Sequence, residues 1–153
     1  SYQAVKEMTY LDEVIQEGQR LYPQTPALFR LCTEDYQIPD SEVIIRKGTR
    51  LVIPLFSIMR DQDNYDSPEV FDPSRFQDNN YKPNGKFMPF GDGPRVCIAM
   101  RFAILEVKVG LAKMMSEFRV KHSAKMKSPM TYEKSAFGVL PVGGFWFEFE
   151  KRK

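Results

Sequence analysis

The chain has 153 residues, of which 42% are hydrophobic and 13% aromatic, a composition typical of a globular protein with an ordinary core. Its 22 basic and 20 acidic residues leave a net charge of +2, which gives no reason to propose nucleic acid as a partner. Cys32 and Cys97 are the only cysteines, too few for a disulfide framework, and this favours a reducing compartment facing the cytosol. A single bridge between the two stays open. No run of 18 apolar residues and no signal-peptide pattern is present.

The first third of the chain predicts one helix followed by short strands. Thr9 and Asp12 have the spacing of a capping box, and Pro23 ends the helical pattern. The apolar face of this helix repeats every three or four residues, at Leu11, Val14, Ile15, Gly18 and Leu21. Two β-rich runs flank the sequence PDSE, and Lys47 with Gly48 predicts a second turn before another strand. We therefore expect a small antiparallel hairpin and one further strand.

Residues 61–89 are rich in Asp, Asn, Pro and Ser and have no regular period; such long irregular stretches are usually functional or held by outside contacts. A second helix is predicted from about Ile98 to Glu117, followed by two strand-like runs, FRVKHS and GFWFEFEKR. The main apolar face of that helix comprises Phe102, Leu105, Val109 and Ala112. The layout predicts an α+β fold, mostly α with small antiparallel sheets. The chain begins without methionine and just ahead of a helical pattern, so we expect it to belong to a longer polypeptide.

The loop FGDGPRVC, at residues 90–97, ends on a cysteine where the second helix is about to begin. A helix N-terminus favours thiolate over thiol, which suits a reactive or metal-bound sulfur. The loop lacks the glycine spacing of a dinucleotide fingerprint and the Lys-Ser/Thr ending of a phosphate loop. Zinc is disfavoured because only His122 and Cys32 could join Cys97, and no paired cysteine spacing exists. We expect His122 to be exposed.

A single cysteine fits a cofactor that takes one protein ligand, and haem iron with an axial thiolate is such a cofactor. Phe90 would pack nearby and Arg95 would offer a guanidinium to a haem propionate. Small residues would let the chain approach a flat macrocycle: Gly91 and Gly93 in the loop, and Ala99 and Ala103 one helical turn apart. The alternative for a lone cysteine is a buried free thiol beside a chance Gly-Pro turn.

The segment FMPFGDGPRVCIAMRF resembles the cysteine-ligand loop of the cytochrome P450 family. The family pattern is Phe, two variable residues, Gly, one variable residue, Arg, one variable residue, Cys, one variable residue, Gly. Four positions match it: Phe90, Gly93, Arg95 and Cys97. Ala99 replaces the final Gly, and its extra methyl group lies near the expected ring plane.

Two further segments resemble motifs of the same family, in the same order along the chain. EGQR at 17–20 resembles the Glu-x-x-Arg motif, and FDPSRF at 71–76 resembles the Pro-x-Arg-Phe segment. The resemblance implies a buried charge network of Glu17, Arg20 and Arg75 that is structural rather than catalytic. Read from the residues alone, Glu17 and Arg20 could be an ordinary surface pair.

The resemblance also implies positions that border the cofactor and the substrate. Arg30 aligns with a family position that contacts a haem propionate; a solvated arginine at a strand edge is the alternative. The segments QTPAL and FGVL match family segments beside the substrate pocket, which makes Thr25, Ala27, Leu28, Phe137 and Val139 candidate pocket residues. The lysines at 108, 113, 121, 125 and 127 are expected to be solvated. A weaker expectation is that Lys82, Lys86, Arg101 and Lys108 attract an acidic redox partner to the cysteine side.

The chain is similar to the C-terminal third of the family fold, so residues 1–153 would be the haem-binding part of one domain whose N-terminal part is absent. It looks most like microsomal animal enzymes of the insect type. This implies a haem-thiolate monooxygenase with Cys97 as iron ligand and catalytic residue. Such an enzyme hydroxylates an apolar small molecule with O2 and electrons from an NADPH-dependent flavoprotein reductase. The implied location is the cytosolic face of the endoplasmic reticulum membrane, with membrane contact only through the missing N-terminal part.

Two other functions stay open at this point. One is a haem-thiolate isomerase or dehydratase, which rearranges a peroxide without a reductase. The other is a non-enzymatic truncated fragment. We expect the 153 residues to be inactive when expressed alone.

Overall fold

The computed structural model of the chain describes residues 2–78, 81–133 and 138–153. The helices are α1 (Tyr2–Lys6), α2 (Thr9–Leu21), α3 (Leu55–Ile58) and α4 (Met100–Glu117). The strands are β1 (Leu28–Leu31), β2 (Tyr36–Gln37), β3 (Ile44–Ile45), β4 (Arg50–Ile53), β5 (Phe118–His122) and β6 (Phe147–Lys151). They form separate two-stranded antiparallel sheets, which confirms the predicted α+β class. No helix in the described ranges is both long and apolar enough to cross a bilayer.

Helix α2 forms where it was predicted, but the proposed capping box is wrong. Thr9 is the first helical residue, and Met8 occupies the N-cap position without a side-chain hydrogen bond. The Asp12 carboxylate instead binds distant partners, accepting a hydrogen bond from the Tyr81 hydroxyl at 3.2 Å and one from Lys108 Nζ at 2.7 Å. Three of the five buried residues of α2 are polar; the five are Ile15, Gln16, Glu17, Arg20 and Leu21.

The β-rich segment forms two pairs rather than a hairpin and a single strand. Strands β2 and β3 make the predicted hairpin, with Tyr36 opposite Ile45. Strand β4 pairs with β1, in the register Leu28 to Ile53, and β1 had no alternating pattern to indicate it. Near the start of β4 the chain turns at Gly48, whose φ of +86° is left-handed and therefore favours glycine. The two late strand-like runs form strands β5 and β6, and the structure pairs them from Phe118 opposite Lys151 to His122 opposite Phe147.

The irregular stretch 61–89 contributes to the hydrophobic core. A short 3₁₀ turn in this stretch, Pro73–Phe76, is capped by Asp72, whose Oδ1 accepts the Ser74 N–H at 3.0 Å. The core cluster consists of Leu55, Met59, Phe76 and Phe87. The rings of Phe76 and Phe87 lie 4.5 Å apart, centroid to centroid. These packed aromatic side chains hold a segment that has little secondary structure of its own.

Helix α4 begins at Met100, two residues later than predicted, and its apolar face is only partly covered. Leu105 and Ala112 are half-buried. Phe102 is 69% exposed and Val109 48% exposed, so the described part of the chain leaves both largely uncovered.

Glu17 and Arg20 form a fully buried ion pair below this core. Arg20 donates to both carboxylate oxygens of Glu17, from Nε at 2.6 Å and from Nη2 at 2.8 Å. Its remaining N–H groups donate to the carbonyl oxygens of Met59 at 2.7 Å and Pro68 at 2.8 Å. Glu17 also accepts the backbone N–H of Asp72 at 2.9 Å. Each buried charge is thus paired and hydrogen-bonded, the condition under which such a pair is tolerated in a protein interior.

Arg75 lies at the edge of this pair. Its Nε is 3.7 Å from Glu17 Oε1, a charge contact too long for a hydrogen bond, and that Nε has no hydrogen-bond partner. Its Nη2 donates to the carbonyl oxygen of Ser67 at 3.2 Å. The structure therefore brings Glu17, Arg20 and Arg75 together, with Arg75 as the weakest member.

Tyr65 covers the other side of the Arg20 guanidinium. The carbon Cζ of Arg20 lies 4.9 Å from the centre of the Tyr65 ring, within the range of a cation–π contact. The Tyr65 hydroxyl donates to the carbonyl oxygen of Lys86 at 3.2 Å. Burial raises the pKa of Tyr65 to about 12, with the positive charge of Arg20 acting in the opposite direction.

We predict that Arg20→Ala lowers the free energy of unfolding by about 3–5 kcal/mol, because it strands the buried Glu17 carboxylate. Arg75→Ala should cost less, since Glu17 keeps both bonds to Arg20, but more than Arg152→Ala, which removes an exposed side chain. Thermal unfolding of the three variants tests this order. Equal midpoints for the Arg75 and Arg152 variants would exclude Arg75 from the network.

A second prediction concerns pH. The pKa of Tyr65 rises from the ordinary value of 10.0 to about 12 on folding, so the folded state keeps a proton that the unfolded chain has lost. The stability contributed by this proton is complete below pH 10 and is lost as the pH rises toward 12. Tyr65→Phe should not show this loss of stability with rising pH. Denaturant unfolding of both proteins between pH 10 and about pH 12 measures the difference. A wild-type-minus-variant difference that does not change with pH would contradict the raised pKa.

Candidate functional site

Cys97 lies on the wall of a cavity of about 510 Å³, a volume within the range of about 300–1,000 Å³ found for small-molecule sites. The cavity is bounded by α2, by the chain that follows α2, by the loop before α4 and by the first turns of α4. Its walls are Ile15, Gln19, Tyr22, Gln24, Thr25, Leu28, Pro89, Phe90, Cys97, Ala103, Ile104 and Val107. Most of these side chains are apolar or aromatic, so the sulfur faces a largely apolar space.

The loop that carries Cys97 is closed by its own backbone. The Cys97 N–H donates to the carbonyl oxygen of Phe90 at 2.9 Å, and the Val96 N–H donates to that of Gly93 at 3.0 Å. Gly91 and Gly93 have φ of +78° and +70°, values that L side chains rarely adopt. A Cβ at Gly91 would meet its nearest neighbours only at 3.8 and 3.9 Å. Backbone conformation, not lack of space, therefore requires glycine there.

Helix α4 starts directly after the cysteine. The Met100 N–H donates to the carbonyl oxygen of Cys97 at 3.2 Å, and Ala99 at the N-cap makes no side-chain capping bond. The first N–H groups of α4 therefore point toward the loop with no side-chain acceptor from the N-cap residue. Ala103, one turn along, presents only a methyl group to the cavity.

The structure brings only some of the predicted site residues to the cavity. Phe90, Cys97, Ala103, Thr25 and Leu28 line it. Gly91 and Gly93 shape the loop behind it. Ala99 is exposed at the start of α4, and Ala27 is half-buried beside the wall. Phe137 lies outside the described residues.

The remaining predicted positions are not among the residues that line the cavity. Arg95 is exposed on a 3₁₀ turn formed by Gly93–Arg95. Arg30 is half-buried on β1, and its Nη1 donates to the carbonyl oxygen of Phe29 at 2.9 Å. Val139 is half-buried, in a segment that passes close to Gln24, since a Cβ on Gly138 would lie 3.4 Å from the Gln24 carbonyl oxygen.

The residues present fit a haem with one protein ligand. In the described ranges no group of three His, Cys, Asp or Glu side chains could hold a metal ion, and His122 is exposed on β5 as expected. The cavity instead offers one sulfur, apolar walls and a low helix surface at Ala103. This donor set suits an axial thiolate beneath a flat apolar cofactor. Arg30, two residues after Leu28, and Arg95, two residues before Cys97, carry guanidinium groups that could pair with carboxylate groups of such a cofactor.

Sequence reasoning missed several wall residues. Ile15, Gln19 and Tyr22 follow one another at helical spacing along and just past α2, and this spacing was the available signal. Oε1 of Gln19 is buried without a hydrogen-bond partner. A buried amide oxygen in a largely apolar wall is a polar feature that the hydrophobic pattern of α2 did not indicate.

Arg60 was also missed as a contributor to this wall. It donates twice to the carbonyl oxygen of Leu21, at 2.6 and 3.2 Å, and pairs with Glu69 at 2.8 Å. Its guanidinium carbon lies 5.5 Å from the ring centre of Tyr22. Arg60 therefore caps the C-terminal end of α2 and holds Tyr22 beside the cavity.

The expectation that Lys108 is solvated is wrong. Lys108 is 4% exposed, and its ammonium group is paired with Asp12 across the gap between α4 and α2. Because its charge is buried, Lys108 cannot belong to a surface that attracts an acidic partner.

Comparison with known proteins identifies the family. The family model for cytochrome P450 matches residues 1–146. Probable cytochrome P450 6a13 and cytochrome P450 6a2, both from Drosophila melanogaster, are 43% and 40% identical to the chain over 98% and 99% of its length. Cytochrome P450 9e2 from Blattella germanica is 40% identical over 99% of the chain.

The matched part covers 31%, 30% and 29% of these three relatives. The chain thus spans about a third of the length of the curated relatives it matches. Because the family match extends over nearly all of its residues, and because the loop, the cysteine and the cavity agree with it, the chain belongs to the cytochrome P450 family of haem-iron proteins.

Proposed function

We propose that the protein carrying this chain is a haem-thiolate monooxygenase in which Cys97 is the axial ligand of the iron. The observation that supports this most directly is the position of Cys97, at the end of a loop closed by its own hydrogen bonds and on the wall of an apolar cavity. Haem with a thiolate ligand supplies the oxygen chemistry when bound, because electron donation from sulfur favours O–O cleavage.

The residues of the chain would hold and orient this group. The hydrogen bond from the Cys97 N–H to the Phe90 carbonyl oxygen would hold the loop that carries the sulfur. The side chains of Leu28, Phe90 and Val107 would keep water from the cavity. Arg30 and Arg95 would pair with the propionates. We expect the substrate to be an apolar small molecule bordered by Thr25, Ala27 and Val139.

The partners we propose follow from family membership. Electrons would come from an NADPH-dependent flavoprotein reductase at the cytosolic face of the endoplasmic reticulum membrane, with membrane contact through a segment N-terminal to this chain. Lys86 and Arg101 are exposed on the described surface and could attract an acidic reductase.

We predict that Cys97→Ser in the full-length holoprotein abolishes the thiolate-type spectrum of the reduced carbon monoxide complex. Cys32→Ser is the matched control, because the Cys32 thiol donates to the carbonyl oxygen of Glu34 at 2.8 Å and does not line the cavity. That control should keep the spectrum. An unchanged spectrum in Cys97→Ser would overturn the assignment.

We further predict that the 153 residues expressed alone give no product with haem, reductase and NADPH. The chain supplies the cysteine side of a cofactor that has two faces, and exposed apolar residues such as Phe102 and Phe149 favour aggregation or loose packing. Product analysis with an apolar substrate tests this, with the full-length protein as the positive control. Hydroxylation coupled to NADPH by the short chain would contradict the prediction, and peroxide rearrangement without reductase would favour an isomerase.

A further inference from the structure

Lys108 is the one buried residue of α4, a helix that the structure describes in full. Its Nζ lies 2.7 Å from Asp12 Oδ2 and 3.3 Å from the carbonyl oxygen of Lys6. A lysine side chain that loses its water in this way needs partners for its charge. Here the partners come from α1 and α2, so the ammonium group joins three helices.

Asp12 extends this contact to the chain that precedes the cysteine loop. Its Oδ1 accepts the Tyr81 hydroxyl at 3.2 Å. The Tyr81 N–H donates to Gln16 Oε1 at 2.9 Å, and the Gln16 amide donates to the carbonyl oxygen of Asp12 at 3.3 Å. Asp12, Gln16, Tyr81 and Lys108, hereafter the Asp12 cluster, therefore form a closed set of hydrogen bonds.

The Asp12 cluster contains residues from both sides of Cys97 in the sequence, and it lies beside the cavity that Cys97 lines. Tyr81 precedes the cysteine loop and Lys108 follows it. On α4, Lys108 is adjacent to Val107 and one turn beyond Ile104, both of which line the cavity. On α2, Asp12 is one turn before Ile15, which faces the same cavity. The ion pair thus joins two helices that both line the cysteine site.

We propose that Lys108 is a positioning residue for Cys97: its ion pair with Asp12 fixes α4 against α2 and thereby sets where the sulfur stands in the cavity. This inference rests on the proposed role of Cys97 as an iron ligand. A buried ion pair adds little stability compared with a well-packed apolar pair of similar volume, but its geometry is specific. Removing Lys108 alone still lowers stability, because the Asp12 carboxylate loses its cation, so the positioning role is tested on haem affinity and on the spectrum of the bound haem.

The test compares Lys108→Met with Lys113→Met in the full-length holoprotein. Lys113 lies on the same helix but is exposed, in a surface pair with Glu117. We expect Lys108→Met to bind haem about 10-fold more weakly and to lose part of its thiolate-type carbon monoxide spectrum, whereas Lys113→Met behaves as wild type. Lys108→Arg, which keeps the charge, should recover most of the spectrum. A Lys108→Met protein with a lower thermal midpoint but unchanged haem affinity and spectrum would reduce Lys108 to a structural role and overturn the proposal.

A double variant covers the case in which Lys108→Met does not fold. Asp12→Asn combined with Lys108→Met removes both charges and leaves no unpaired buried ion, so we expect it to fold and still show the spectral loss. A wild-type spectrum in the double variant would overturn the inference. The inference and the proposed function fail separately, because a wild-type-like spectrum in Cys97→Ser would remove Cys97 as ligand whatever the Lys108 variants show.

Discussion

The described core depends on one buried charge, the guanidinium of Arg20. Its N–H groups are shared among Glu17, the carbonyl oxygen of Met59 and that of Pro68. These acceptors belong to α2, to the end of α3 and to the irregular stretch, and the last two lie 39 and 48 positions from Arg20 in the sequence. A buried cation without acceptors costs free energy. Residues 59–72 must therefore pass α2 along a path that brings their carbonyl groups to Arg20.

This constraint explains how a long segment with little secondary structure stays ordered. Phe76 and Phe87 pack with Leu55 and Met59 on one side, and the Asp72 N–H binds Glu17 on the other. Apolar packing alone would leave the backbone of this segment free to shift. The hydrogen bonds to Glu17 and Arg20 fix the position of its backbone, and the cysteine loop follows this segment in the chain.

A second polar contact, between Asp12 and Lys108, acts at the opposite end of α2. Together the two ion pairs hold α2 against the core and against α4, and the cysteine cavity opens between these helices. Both pairs use polar residues of α2, and three of the five buried residues of this helix are polar. The buried face of α2 is thus specified by charge as much as by hydrophobicity.

Local signals in the sequence determined the elements and the loop chemistry. Helical spacing predicted α2 and α4, β-rich runs beside turn residues predicted the β2–β3 hairpin and β4, and alternation predicted β5 and β6. The glycines beside Cys97 predicted turns, and Gly91 and Gly93 have the positive φ of such turns. Tertiary structure alone decided the pairing of β1 with β4, the use of Asp12 as a long-range acceptor and the burial of Lys108. The physical reason is that propensity and periodicity act over a few residues, whereas the burial of a charge depends on a partner that the fold brings from about 96 positions away.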